Sequence, residues 1–181
     1  MMHSFDEILS NFSKNLFDPL KENHSQLPDC QGVYIICLRS GANLPKSEFK
    51  ITLTKFKGYD VLYVGISNKS LRKRDYNQHF NGNAGRSTLR KSIGVLFSYS
   101  LIPRDKNPFS KKTKFDDKNE LILSEWMHKN LIMFFIPIID TDIIEKKLIE
   151  HFNPPLNLKS NINSINADFR KYLSMLRNKT I

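Results

Sequence analysis

Three apolar runs rich in β-branched residues constrain the fold more than any other feature of this sequence. They cover Gly32–Leu38, Val61–Gly65 and Ile132–Ile139, and each has the length and composition of a buried strand. Segments in which apolar residues recur with helical spacing lie between the second and third runs and after the third. This order predicts a small α+β domain in which helices flank a central sheet of about three strands.

The helical segments are predicted from apolar residues three and four positions apart. They cover residues 5–20, with Ser4 and Glu7 as a capping box, then Ser70–Phe80, Ser87–Phe97, Leu121–Lys129, a helix capped by Thr141 or Asp142 that runs to Phe152, and Ala167–Arg177. Residues 40–60 are predicted to be a polar loop with a short strand over Phe49–Leu53, and Pro103–Asn119 a basic, mobile loop. The length of 181 residues favours one domain with room for a core.

Basic charge is concentrated in the middle of the chain. Arg39 to Lys114 contains 17 Lys or Arg against 4 Asp or Glu, and the remainder contains 11 against 14, so the net +10 is made of +13 and −3. Nucleic acid is the commonest polyanion that such a segment attracts, and a merely solubilising basic face is the alternative. Because the chain has no membrane-length apolar run and no signal-like start, we expect a cytoplasmic protein without a membrane partner.

Glu145 is a carboxylate at an apolar position. On a helical wheel it falls within the arc formed by Ile144, Leu148, Ile149 and Phe152. A carboxylate that faces a core or a cleft costs on the order of several kcal/mol unless a cation pairs with it. A structural ion pair and a metal ligand both meet that need, and the sequence leaves the two interpretations open.

Tyrosine and glycine occur together on the first two predicted strands, as Gly32-Val33-Tyr34 and Tyr63-Val64-Gly65. A tyrosine on a strand is commonly a core residue, while the glycines would allow a backbone or a phosphate to approach closely. In the next helix Arg74 suits the charge of a phosphoryl transition state, because its planar donors stay protonated and fork onto oxygens. Solvated surface is the simpler interpretation of the neighbouring Arg72 and Lys73.

The two tripeptides belong to an ordered set that resembles the GIY-YIG nuclease module. After them come Leu-x-x-Arg at Leu71–Arg74, then Glu145, then Pro155-Leu156-Asn157, and the twelve positions from Glu145 to Asn157 are similar to the spacing in that family. The resemblance covers about residues 28–157, with the helices at 5–20 and 167–177 as additions. Three further segments resemble a bacterial single-domain subgroup of the family: Phe80–Arg90, Ser124–Met127 and Pro155–Leu158.

This chain departs from the family pattern at three points. Val replaces Ile in both tripeptides, which conserves shape. The gap between Tyr34 and Tyr63 is much longer than usual, so residues 40–60 hold an insertion that we expect to contact substrate. His79 lies five positions after Arg74, whereas relatives often place a His or Tyr four positions after it.

The resemblance implies a metal-dependent endonuclease that hydrolyses phosphodiester bonds, in DNA more than in RNA. Glu145 would bind one Mg²⁺, with Mn²⁺ as a substitute, because a single carboxylate plus waters suits that ion. Arg74 would bind the non-bridging phosphate oxygens, Tyr34 would position or deprotonate the attacking water, and Tyr63 would hold that network. Since the pKa of a free tyrosine is about 10, a nearby cation would have to lower it, and His79 would assist by taking the proton.

Residues expected to contact substrate are Gly65, Arg72, Arg86, Arg90 and Asn157, with a turn-locking role as the alternative for Asn157. Other chemistries lack support, since Gly82–Gly85 has no P-loop ending, the histidines are scattered, and Cys37 lies in an apolar strand. Two alternatives stay open. One is a non-catalytic nucleic-acid-binding module on the same fold, and the other is a docking surface for an acidic protein.

Overall fold

The fold is an antiparallel sheet with helices on both faces, and a computed structural model describes it for residues 4–107, 109–110 and 112–179. Its strands are β1 (Leu16–Phe17), β2 (Gly32–Leu38), β3 (Lys55–Phe56), β4 (Tyr59–Ser67), β5 (Ile102–Pro103), β6 (Thr113–Lys114) and β7 (Leu131–Pro137). Its helices are α1 (Phe5–Phe12), α2 (Thr88–Leu96), α3 (Asp117–Asn130), α4 (Thr141–Phe152) and α5 (Ala167–Asn178), with a π-helix at Arg72–Phe80 and a 3₁₀ turn at His24–Gln26.

The three predicted strands form the centre of the sheet as β2, β4 and β7. Within the described residues the main sheet has five strands in the order β1-β7-β2-β4-β3, and every neighbouring pair is antiparallel. The α+β prediction is therefore confirmed, whereas the count of about three strands is too low. The two extra strands, β1 and β3, are two residues long, which is too short to leave a mark on the hydropathy pattern.

Side chains of β2 alternate between two separate apolar clusters, one on each face of the sheet. Val33, Ile35 and Cys37 pack with α1 and α4, while Tyr34 and Ile36 pack on the opposite face with α2, α3, α5 and the π-helix. Because both faces are covered, every residue of β2 is buried, which explains its continuous apolar composition. In the described part of the chain no helix is long and apolar enough to cross a membrane.

The predicted N-terminal helix over residues 5–20 is too long. Ser4 and Glu7 form the expected capping box, but α1 ends at Phe12, and Leu16 and Phe17 instead pair with Phe134 and Met133 of β7. Phe17 is fully buried in the cluster on the other face of the sheet, so the chain has to leave the helix to place it there.

Two further local predictions are corrected by the structure. Asp140, rather than Thr141 or Asp142, is the N-cap of α4, and the hydroxyl of Thr141 instead lies 3.2 Å from Asn68 Oδ1. The segment predicted as a basic loop over Pro103–Asn119 contains the β5–β6 hairpin and the first turn of α3. Pro108 and Lys111 lie outside the described residues.

The insertion between β2 and β4 packs against α5. No strand forms at Phe49–Leu53, and Phe49 instead lies with its ring centroid 5.0 Å from that of Tyr172. Asn166, at the start of α5, accepts from the Thr52 N–H and donates to the Thr52 carbonyl, both at 2.8 Å. These contacts hold the C-terminal helix on the domain, and the expected contact of the insertion with substrate stays a prediction.

Candidate active site

The register of β2 and β4 places the two tyrosines on one face of the sheet. Tyr34 pairs with Gly65 and Ile36 pairs with Tyr63, so both tyrosines point to the same side, with ring centroids 6.3 Å apart. A Cβ at Gly65 would collide with the Tyr34 hydroxyl oxygen. Gly65 is buried and provides room for the Tyr34 ring, and its predicted contact with substrate stays a prediction.

A π-helix carries Arg74 and His79. In an α-helix, residues five apart lie about 140° apart around the axis, whereas the hydrogen bonds of a π-helix span five residues, so such residues lie close to one face. The bond from the Asn81 N–H to the Tyr76 carbonyl, 3.0 Å long, has this spacing. His79 lies five positions after Arg74, one more than in many relatives. The π-helix accommodates this spacing, and His79 faces the tyrosines.

His79 is fully buried and is held at both ring nitrogens. Its Nε2 lies 2.7 Å from the Tyr34 hydroxyl and its Nδ1 lies 2.6 Å from Ser87 Oγ, while Oγ also accepts from the Arg90 N–H. Burial lowers the pKa of His79 well below its usual value, and the charges of Arg74 and Arg90 add to this effect. The imidazole is therefore neutral near pH 7, with one ring nitrogen that accepts a hydrogen bond and one that donates.

Tyr34 is not the activated phenolate that a nearby cation was expected to produce. Burial raises the pKa of Tyr34 well above its usual value, Tyr63 and Asp75 add to the rise, and Arg74 only partly opposes it. The expectation of a lowered pKa is therefore wrong, and Tyr34 is a neutral phenol bound to His79 at neutral pH.

Glu145 opens into a cavity of about 590 Å³ at the edge of the sheet. Tyr63, Lys159 and Arg177 line the same cavity, and the hydroxyl of Tyr63 lies 3.3 Å from Thr88 Oγ1. Burial raises the pKa of Glu145, nearby Asp142 adds to the rise, and Lys159 and Arg74 oppose it. Among the described residues Glu145 has neither an ion pair nor a hydrogen bond through its carboxylate.

Arg74 lies between the tyrosines and the carboxylate. It is half-buried, and its Nη1 donates to Gln78 Oε1 at 2.8 Å and to the Arg86 carbonyl at 3.2 Å. It is close enough to Tyr63 and Glu145 to lower the pKa of each against the opposing effect of burial. The structure therefore gathers Tyr34, Tyr63, Arg74 and His79, and places Glu145 on the cavity that Tyr63 lines.

Arg90 and Asn157, both predicted to contact substrate, are internal. Arg90 has no exposed surface and donates to Glu120 at 2.7 Å, as well as to the carbonyls of His79 and Phe80. The side-chain amide of Asn157 is buried and bonds with both the N–H and the carbonyl of Val64 at 2.8 Å. Arg90 ties α2 to α3 and the π-helix, so its side chain is not available to substrate. Asn157 completes the free edge of β4 at Val64, and it also lines the cavity that holds Glu145.

The two remaining predicted contacts differ from each other. Arg72 Nε donates to the Leu27 carbonyl at 2.8 Å, which anchors the π-helix to the segment before β2. Arg86 is exposed, and its backbone carbonyl accepts from Arg74. Of the five predicted contacts, Arg86 alone presents an exposed side chain next to the Arg74 guanidinium.

Two residues of this cluster had no signal of function in the sequence. Ser87 was predicted to begin a helix, and as N-cap of α2 it accepts from the Arg90 N–H while it also bonds His79. Asp75 is fully buried, has no hydrogen-bond partner for either carboxylate oxygen among the described residues, and lies 4.0 Å from His79 Nε2. Its burial depends on the π-helical turn and could not be inferred from the sequence.

A sheet whose two central strands carry facing tyrosines, next to an arginine and a histidine on a short helix, has the organisation of a nuclease-type fold. The chain belongs to the GIY-YIG family, since the family described as the GIY-YIG catalytic domain matches residues 32–179. That match begins at the first residue of β2 and extends through α5. Comparison with curated proteins and with solved structures gives no match.

Proposed function

We propose that this protein is a metal-dependent endonuclease that hydrolyses phosphodiester bonds in DNA. The observation that carries the proposal is Glu145, a partly buried carboxylate that lines the cavity beside Tyr63 and has no cation paired with it in the described residues. The structural ion pair, which was the alternative from the sequence, is thus absent from the described part of the chain. A carboxylate in such a position is stabilised by a cation, and a metal ion bound from solvent would supply one.

The donors at Glu145 fit a hydrated magnesium ion, with manganese as a substitute. Among the described residues no group of three or more His, Cys, Asp or Glu could enclose a metal, and the Asn157 amide is engaged by Val64. Magnesium keeps several waters and is commonly bound through one or two carboxylates together with substrate phosphates. When bound, the ion would supply charge stabilisation for the leaving oxygen.

We assign the proton transfer to Tyr34 and His79 acting together. With Nδ1–H donating to Ser87, the Nε2 of His79 accepts from the Tyr34 hydroxyl. Tyr34 is buried in the free protein, so this step requires that substrate binding exposes its hydroxyl. The Tyr34 oxygen would then take a proton from the attacking water as it passes its own proton to His79. This route forms no phenolate, and so it is compatible with the raised pKa of Tyr34. It forms an imidazolium on His79, which burial disfavours and which the negative charge of a bound phosphate would favour.

Arg74 is placed to bind the non-bridging oxygens of the scissile phosphate. The charge of its guanidinium opposes the rise in the pKa of Tyr34, of Tyr63 and of Glu145, which supports a position near both the proposed base and the proposed metal ligand. Bidentate donors that stay charged stabilise the negative charge that develops on a phosphate in the transition state. The exposed side chain of Arg86 extends this positive charge towards solvent.

The test compares wild-type protein with Glu145→Gln on supercoiled plasmid and magnesium. We expect the wild type to nick or linearise the DNA and the variant to lose at least about 100-fold in rate, because even partners of metal ligands are worth about 10–100-fold. Glu150→Gln is the matched control, since Glu150 lies on the same helix and is exposed. Unchanged cleavage by Glu145→Gln would remove this residue from the mechanism.

The same experiment separates the nuclease from the non-catalytic alternative. A wild type that binds DNA and RNA in a salt-sensitive way, but cleaves neither with magnesium or manganese, would be a nucleic-acid-binding module on the same fold. Competition of that binding by an acidic polypeptide, rather than by nucleic acid, would point to a docking surface instead.

A further inference from the structure

Two basic residues stand at the boundary between the cavity that holds Glu145 and a second, neighbouring cavity. Lys91 of α2 and Arg177 of α5 line both the cavity of about 590 Å³ and one of about 810 Å³, which the β5–β6 hairpin borders. The Lys91 ammonium donates to Thr113 Oγ1 at 2.9 Å, and Arg177 Nη1 lies 3.4 Å from Ser92 Oγ. The two side chains therefore lie on a continuous path that leads from Glu145 to the hairpin.

These two charges are not balanced by the protein. Within the described residues neither Lys91 nor Arg177 has a carboxylate within ion-pair distance, and Arg177 Nε is buried without a hydrogen-bond partner. Burial lowers the pKa of Lys91, and the charge of Arg177 lowers it further. Burial also lowers the pKa of Arg177.

Nearby carboxylates are committed to other partners. Glu120 forms the buried pair with Arg90, and Asp105 lies 2.8 Å from Arg104. Two partly buried positive charges disfavour each other's charged form, and an anion that binds between them stabilises both. A phosphate group supplies that charge together with several acceptor oxygens for the guanidinium and ammonium groups that line the two cavities.

We infer that Lys91 and Arg177 form a second phosphate subsite, which binds a backbone phosphate of the nucleic acid strand beyond the scissile one. This inference rests on the proposed function, because the ligand is the same strand. The strand would continue from the Glu145 cavity across α2 and α5 into the second cavity, whose lining adds the exposed basic side chains of Lys112 and Lys179. Phosphate contacts of this kind position a strand without reading its sequence.

Binding measured without turnover tests the subsite. A fluorescently labelled oligonucleotide is titrated with protein in EDTA over a series of salt concentrations, for wild type, Lys91→Gln, Arg177→Gln and the double variant. Each single variant should reduce the slope of log K against log salt by about 0.7 to 0.9, and the double variant by about twice that amount, because each lost phosphate contact removes that much. The loss of affinity should be the same for unrelated oligonucleotide sequences.

Two control variants distinguish the loss of a phosphate contact from the loss of any positive charge and from altered packing. Lys14→Gln removes an exposed positive charge that lies between α1 and β1, and its slope should equal that of the wild type. Arg177→Lys keeps the charge, so it should retain most of the wild-type slope even where Arg177→Gln perturbs packing. Slopes that stay at the wild-type value in both Gln variants would overturn the subsite.

The subsite and the nuclease proposal fail in different ways. A wild type that never cleaves, but whose salt slope falls in the Lys91 and Arg177 variants, overturns the nuclease and supports the subsite. A wild type that cleaves in magnesium, with salt slopes unaffected by either Gln variant, supports the nuclease and overturns the subsite. A wild type that does not bind an oligonucleotide overturns the subsite as well.

Discussion

Tyr34 shows how one residue can be fixed in position by its neighbours and kept uncharged by its burial. Gly65 leaves room for the ring, His79 accepts from the hydroxyl, and the surrounding core excludes water. Each of these contacts favours the neutral phenol, so Tyr34 cannot act as a stored base. Its proposed role depends instead on the neutral His79 as the final proton acceptor.

Replacing Tyr34 with Phe should abolish most of the cleavage while leaving binding intact. We expect the rate to fall by about 10²–10⁴-fold, the usual contribution of a positioned acid or base. Binding of an oligonucleotide in EDTA should match the wild type, because the substitution removes one hydroxyl group and no charge. Tyr59→Phe, on the same sheet but in the cluster on the opposite face, is the control and should cleave normally. Equal rates for Tyr34→Phe and wild type would exclude the proposed proton route.

The sequence predicted the residues that lie together in the structure. It could not distinguish the arginine proposed to bind phosphate from an arginine with a structural role. Arg74 and Arg90 both lie in the basic central segment, and each was predicted to lie on a helix. Only the tertiary partner of Arg90, the carboxylate of Glu120 thirty positions away, makes it a buried structural residue. The proposed roles of Tyr34, Tyr63, Arg74, His79 and Glu145 stay predictions until the variants are measured.

At the level of secondary structure, long elements were predictable and the irregular one was not. β2 and β7 follow from apolar runs, and α5 was predicted over Ala167–Arg177 and ends at Asn178. The segment after β4 was predicted as an ordinary helix, because it is largely polar and its few apolar residues do not distinguish a π-helix from an α-helix. The π-helical turn is what brings His79 to Tyr34 and buries Asp75.

Burial of Asp75 in the π-helix should make the stability of the protein depend on pH. Burial raises the pKa of Asp75 well above its usual value, with Arg74 in opposition, so ionisation is disfavoured in the folded state. Ionisation of Asp75 costs no stability below the pKa of an aspartate in the unfolded chain, about 4. The cost grows as pH rises towards the pKa of Asp75 in the folded protein. Asp75→Asn removes this ionisation. The free energy of unfolding of the variant, relative to that of the wild type, should therefore increase from about pH 4 to about pH 7.

Chemical denaturation at the two pH values measures this difference. Asp168→Asn is the control, because the side chain of Asp168 is exposed at the start of α5 and keeps its water in the folded state. The difference in free energy of unfolding between Asp168→Asn and the wild type should change much less between the two pH values. A constant difference for Asp75→Asn as well would show that His79, 4.0 Å from the carboxylate, keeps it ionised as a partner.

Across the whole molecule, the insertion after β2 and the C-terminal helix form one unit. Ala42, Leu44 and Ile51 pack against the same cluster as α5, and Phe49 contacts Tyr172. The unusual length of the insertion was visible in the sequence, but its partner was not, because the contact joins segments more than a hundred residues apart. The insertion thereby helps to position Arg177, which α5 carries to the edge of the Glu145 cavity.

The coupling can be tested at Asn166, which bonds Thr52 twice and has a left-handed backbone with φ of 63°. Asn166→Gly keeps that conformation accessible but removes both hydrogen bonds, so we expect a loss of about 1–2 kcal/mol in the free energy of unfolding by urea. Ser98→Gly is matched to it, since Ser98 has φ of 62° and its side chain makes no hydrogen bond within the described residues, and it should be neutral or slightly stabilising. Because a loosened α5 positions Arg177 less firmly, Asn166→Gly should also weaken oligonucleotide binding in EDTA, whereas Ser98→Gly should not. Equal stability and affinity for the two variants would show that the insertion and α5 are independent.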